Sequence, residues 1–142
     1  MGHCTFCDIL TGDLPASIVH EDDKCCAFMD IHPLNTGHVL VIPNTHAAGL
    51  ADLDPDIGAH LFRVAQQIAI ALRHSDIPCQ GISLSLADGR TAGQEVFHVH
   101  LHVIPRTEGD GLGWRRFGTP PGAWPHRMQL DMVAQEIRDY LD

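Results

Sequence analysis

Polar and apolar residues alternate through His98-Val99-His100-Leu101-His102-Val103, Ile104 follows, and Pro105 closes the run. On a strand, residues i and i+2 share a face about 6.5–7 Å apart. Val99, Leu101 and Val103 are therefore expected on one side and three imidazoles on the other. Gly81-Ile82-Ser83-Leu84-Ser85-Leu86 alternates in the same way. His38-Val39-Leu40-Val41-Ile42 is almost wholly apolar and ends at Pro43, as in a strand buried on both faces. Residues 17–20 and 24–30 read as two short strands hinged at Glu21-Asp22-Asp23.

The period then lengthens. Asp54 is a helix cap and Pro55 a first helical residue, and Ile57, Leu61, Val64, Ile68 and Leu72 recur at helical spacing to about Arg73. Ile77-Pro78 breaks that pattern. Leu130, Val133, Ile137 and Leu141 predict a closing amphipathic helix, after a Gly-, Pro-, Arg- and Trp-rich loop over 109–125. The plan is α+β: an antiparallel sheet of about five strands with two helices.

Composition narrows the class. A chain of 142 residues, 44% hydrophobic and 19% charged, suits one compact domain with a real core. A net charge of -9 argues against a nucleic-acid backbone as partner, though not against one small anionic ligand. No apolar run approaches the ~20 residues of a membrane span. Met1-Gly2-His3-Cys4 lacks a basic stretch followed by an apolar core, so no secretory signal is expected. Five cysteines, an odd number, fit a reducing, cytoplasmic setting. Cys25, Cys26 and Cys79 sit among apolar neighbours as ordinary thiols. Cys4-Thr5-Phe6-Cys7 has the C-x-x-C spacing of a metal grip or a redox pair.

The three histidines admit two uses. As metal ligands they cannot all serve one ion: the outer pair lie about 13 Å apart along a strand, against Zn–N bonds of about 2.1 Å. As catalysts, one imidazole attacks phosphorus or carbonyl carbon while its neighbours move protons and stabilise negative charge. Gly89 and Gly93 allow backbone to approach a ligand closely.

The run Gly93-Gln94-Glu95-Val96-Phe97-His98-Val99-His100-Leu101-His102-Val103-Ile104-Pro105-Arg106 resembles the signature of the histidine-triad (HIT) family of nucleotide hydrolases and transferases. The likeness continues in Cys4-x-x-Cys7, Glu21-Asp22-Asp23, Ala27-Phe28-Met29-Asp30-Ile31 and Gly37-His38-Val39-Leu40-Val41-Ile42-Pro43, in register over about residues 4–108. It implies a HIT-like fold, with 1–142 as a single HIT domain. It also implies that His100 is the nucleophile: it attacks the α-phosphorus of a purine nucleotide, and water releases the nucleoside monophosphate. His102 and His38 complete the cluster around the phosphate. Family transferases commonly carry glutamine in the third position; His102 places this chain with the hydrolases.

The same resemblance assigns Asp30 to the ribose hydroxyls. Phe6, Ile9, Leu14, Phe28 and Ile31 become an apolar slot for the base, and Gln94 a phosphate contact. Two positions depart from it. Glu95 stands where relatives often carry Ser or Thr against the phosphate or leaving group, and a carboxylate there repels phosphate unless protonated, turned away or near a cation. Ala87 stands where relatives commonly have Asn.

Cys4, Cys7, His46 and His98 match a branch of the family with structural zinc, a closed Cys₂His₂ set that would leave His100 and His102 for chemistry. The resemblance also implies a homodimer. The reaction expected is hydrolysis of nucleoside phosphoramidates, dinucleoside polyphosphates or adenylates. Two alternatives remain open: a nucleotide-binding adaptor with negligible turnover, and a hydrolase whose zinc generates hydroxide. Trp114 or Trp124 is a candidate to reach a partner's site. His20, His32, His60, His74 and His126 match nothing and read as surface or packing residues.

Overall fold

A computed structural model describes residues 3–112 and 124–141; Trp114 lies outside them. Five strands form one antiparallel sheet: β1 (Ile18–Glu21), β2 (Cys25–Met29), β3 (Val39–Pro43), β4 (Gly81–Ser85) and β5 (Leu101–Arg106), in the order β1-β2-β3-β5-β4. Among the described residues three α-helices accompany it: α1 (Thr5–Thr11), α2 (Pro55–His74) and α3 (Arg127–Asp139). The class is as expected, and the helices number one more than the periodicity suggests.

The two faces of the sheet bury different things. Val19, Cys25, Ala27, Met29, Val39, Val41, Val99 and Val103 pack with Leu61, Val64, Ile68 and Leu72 of α2 and Leu130, Ala134 and Ile137 of α3. Asp54 caps α2 as its sequence predicts, accepting from the Asp56 amide, with Pro55 first in the helix. On the other face Cys26, Phe28, Leu40 and Ile42 meet Phe6 of α1. Period-2 patterning thus leaves one face for the main core and one for a smaller cluster beside the histidines. Gly37 turns the chain into β3 at φ +96°, and a side chain there would press on Pro105, Ile77 and Leu72.

The histidine run is not one continuous strand. Paired strand begins at Leu101, with Val41 opposite Leu101 and Leu40 opposite His102. Continuing that register would set residue 99 against Pro43, which has no N–H, so the ladder stops. The Val99 amide instead donates to the Ala47 carbonyl at 2.8 Å. The facing still alternates: Val99 and Val103 enter the main core, while the rings of His98 and His100 both lie edge-on to Phe6.

Candidate active site

His38, His98, His100 and His102 are all buried, on the α1 face of the sheet. Their backbone and side-chain partners determine which ring nitrogen carries each proton. The Leu34 amide donates to His38 Nδ1 at 3.1 Å, so the His38 proton is on Nε2. That N–H donates to His102 Nδ1 at 2.9 Å, which leaves the His102 proton on Nε2. His100 is set the opposite way: Nδ1 donates to the His98 carbonyl at 2.8 Å, so its lone pair is on Nε2. The rings of His100 and His102 are 5.0 Å apart. One neighbour therefore offers a lone pair and the other an N–H donor.

His98 is turned away from this pair. Its Nε2 donates to the Pro43 carbonyl at 2.9 Å, and Nδ1 keeps a lone pair. Burial pushes its pKa below the ordinary imidazole value, even against the Pro43 bond. Around Nδ1 stand Cys4 Sγ at 3.4 Å, Cys7 Sγ at 3.6 Å and His46 Nδ1 at 3.2 Å, and Cys7 Sγ is 3.4 Å from His46 Nδ1. Tetrahedral bonds of about 2.1 Å to nitrogen and 2.3 Å to sulfur require donor–donor edges of roughly 3.3–3.8 Å. The four donors fit such a cage, and the Pro43 carbonyl orients the His98 ring for it. Without a cation the Cys7 thiol resists ionisation. Burial, then the hydrogen bond and charge of Cys4, push the Cys7 thiol up to about 11.

A cavity of about 500 Å³ opens over His100, His102 and His38. Phe6, Ile9, Leu14, Phe28 and Ile31 line it with Asp30 and Glu95, so the residues expected around base and sugar are brought together. Leu14 and Ile31 are exposed lips of this slot rather than core. Asp30 Oδ1 accepts from the His32 amide at 2.8 Å, while Oδ2 stands 3.6 Å from His38 Nε2. Glu95 is exposed on the same wall as His100.

Gln94 is placed otherwise than expected. Its side chain is buried; Oε1 accepts from the Gly89 amide at 2.8 Å and Nε2 donates to the carbonyls of Ala48 and Val96. It braces the loop that presents Gly93 and Glu95, and it does not line the cavity. Ala87 is buried. Trp124 stacks on His32, ring centroids 4.4 Å apart. Arg127, from the start of α3, also lines the cavity; no local motif marks it in the sequence. His20 and His60 both bond Asp22, so neither is a bare surface residue.

The HIT domain pattern matches residues 11–109. An HIT-like protein of Borreliella burgdorferi is 44% identical over 117 residues, 82% of this chain and 84% of that one. The adenylylsulfatase HINT3 of Arabidopsis thaliana is 33% identical over 134 residues, 94% of this chain and 65% of that one. The crystal structure of a Zn-bound histidine triad family protein from Mycobacterium smegmatis aligns with a TM-score of 0.82 at 39% identity, covering 96% of this chain and 91% of that one. The chain belongs to the HIT family.

Proposed function

We propose that this protein is a nucleotide hydrolase acting on purine nucleotides with a substituted α-phosphate, through a covalent nucleotidyl-His100 intermediate. The observation that carries the reading is the opposed pair of tautomers. The Nε2 lone pair of His100 attacks the α-phosphorus, and the bond from phosphorus to the leaving group breaks. The Nε2–H of His102, held in place by His38, donates to a phosphate oxygen or to the departing group. Water then attacks the phosphorus, the N–P bond breaks, and a nucleoside monophosphate leaves. Asp30 Oδ2 accepts from the ribose hydroxyls, and the Phe6–Phe28 slot grips the base.

Substrate candidates are nucleoside phosphoramidates, dinucleoside polyphosphates and adenylates; the likeness to an adenylylsulfatase supports the last. Cys4, Cys7, His46 and His98 hold structural zinc, which ties α1 to the sheet. His100 is not among these four donors, and that favours histidine over metal-bound hydroxide as the nucleophile. The protein is cytoplasmic and pairs with a second copy of itself.

Adenosine 5′-phosphoramidate with wild type and His100→Asn is the direct test. Wild type should release AMP, and acid-free quenching during turnover should show the protein heavier by one adenylyl group. His100→Asn should keep nucleotide affinity and lose at least about 10³-fold in kcat. Turnover within tenfold of wild type in that variant would remove the covalent mechanism. Absence of turnover in wild type, with nucleotide still bound, would leave the adaptor.

A further inference from the structure

The cavity has two ends. His102 lies in β5 and His100 immediately precedes it, while Asp30 directly follows β2. Leu14, Pro15 and Ala16, which lead into β1, line the same cavity, and Arg127 reaches in from α3. Arg127 is the one Arg or Lys among the described lining residues. Its Nη1 donates to Ser17 Oγ at 2.8 Å, and Ser17 directly precedes β1. Three strand intervals separate β1 from β5 in the sheet, about 14 Å at the usual spacing. A nucleoside monophosphate with phosphorus at His100 and ribose at Asp30 crosses that distance only with its base outermost. The guanidinium therefore stands at the edge of the base, beyond reach of the α-phosphate.

The guanidinium is also held in position. Ser17 is buried, and its hydroxyl donates to Asp131 Oδ1 at 2.6 Å while accepting from Arg127. Arg127 and Asp131 lie one helical turn apart on α3, so helix, hydroxyl and guanidinium form a fixed bracket. The remaining N–H donors of Arg127 have no hydrogen-bond partner among the described residues. His32, another polar lining residue, packs against Trp124 with its ring tilted by 43°.

An arginine fork only donates, so it discriminates among bases by the acceptors they present. Guanine offers N7 and O6 side by side. Adenine offers N7 next to the N6 amino group, a donor facing donors. Building on the nucleotide reading above, we propose that Arg127 reads the N7/O6 edge of the base and makes this a guanine-preferring site. Apolar walls at Phe6, Phe28 and Ile31 accept any flat ring, and Arg127 supplies the choice among them.

The test is titration calorimetry of the zinc-replete protein with GMP, IMP, AMP and 7-deaza-GMP. GMP and IMP, which share the N7/O6 edge, should bind about tenfold more tightly than AMP. 7-Deaza-GMP, lacking the N7 acceptor, should fall toward AMP. Arg127→Met should abolish the preference and leave AMP affinity within about twofold; Ser17→Ala should weaken the preference in part. AMP binding as tightly as GMP in the wild type overturns the base reading alone. So does a preference that survives Arg127→Met. Failure of all four nucleotides to bind overturns it together with the nucleotide function on which it rests.

Discussion

Asp22 spends its carboxylate on four nitrogen donors, besides a longer contact from the Cys25 thiol at 3.6 Å. Oδ2 accepts from His20 Nε2 at 2.7 Å and His60 Nε2 at 2.8 Å; Oδ1 accepts from the amides of Lys24 and Cys25. One side chain thus closes the β1–β2 turn and ties it to α2. Burial opposes ionisation here, but the four hydrogen bonds outweigh it and hold the Asp22 pKa well below the usual carboxylate range. A carboxyl whose pKa is depressed by folding adds stability above its unfolded value, near 4, and loses it as pH falls toward the folded one. Asp22→Asn should therefore cost about 2 kcal/mol at pH 7, and the gap from wild type should narrow steadily below about pH 4. Paired thermal melts from pH 7 to 3 measure it; a gap that stays constant would mean that the charge contributes nothing.

α1 is the element that local pattern conveys least. Seven residues are too few to be stable alone. Its start depends on Cys4 Sγ accepting from the Cys7 amide, and its buried side on Phe6 meeting the sheet. None of this leaves a helical period in the sequence, whereas α2 announces itself by five apolar positions, a cap and Pro55. The strands are legible in their alternation, and β1 ends at Glu21, β2 just before Asp30 and β3 at Pro43, whereas β5 runs through Pro105 to Arg106 instead of closing there. The triad was legible in facing but not in pairing, because Pro43, which ends the ladder, lies 56 residues away from Val99 in the chain. Gln94 misleads because its partners at Ala48, Gly89 and Val96 meet only after folding, and Arg127 carries no local signal at all. Since α1 rests on Phe6 and on the Cys4–Cys7–His46–His98 cage, removing the zinc proposed there should release it first. A zinc chelator should speed amide exchange across Thr5–Thr11 before it changes α2, and lower the melting temperature. Loss of turnover with α1 protection intact would instead give the metal a direct catalytic part.

At the scale of the molecule, β4 ends the sheet with only β5 beside it among the described residues, and the outer edge of such a strand is a row of backbone groups ready for another strand. Leu84 on that strand, with Phe62 and Ile70 on α2, is a large exposed apolar residue. In the homodimer proposed above, β4 would lie against β4 and extend the sheet. Charge opposes the pairing. Each chain carries -9, so two copies repel at long range, and salt weakens that repulsion while leaving apolar burial in place. The Debye length falls from ~30 Å at 0.01 M to about 8 Å at 0.15 M. The dimer dissociation constant should therefore decrease about threefold or more as sodium chloride rises from roughly 0.02 to 0.3 M. Leu84→Lys should raise it at every salt concentration, since a strand pair must then desolvate two ammonium groups. Sedimentation velocity over micromolar concentrations reads both effects. A single-chain mass throughout would rule out the pairing. Tightening at low salt instead would show that opposite charges, not the β4 edge and its apolar residues, hold the copies together.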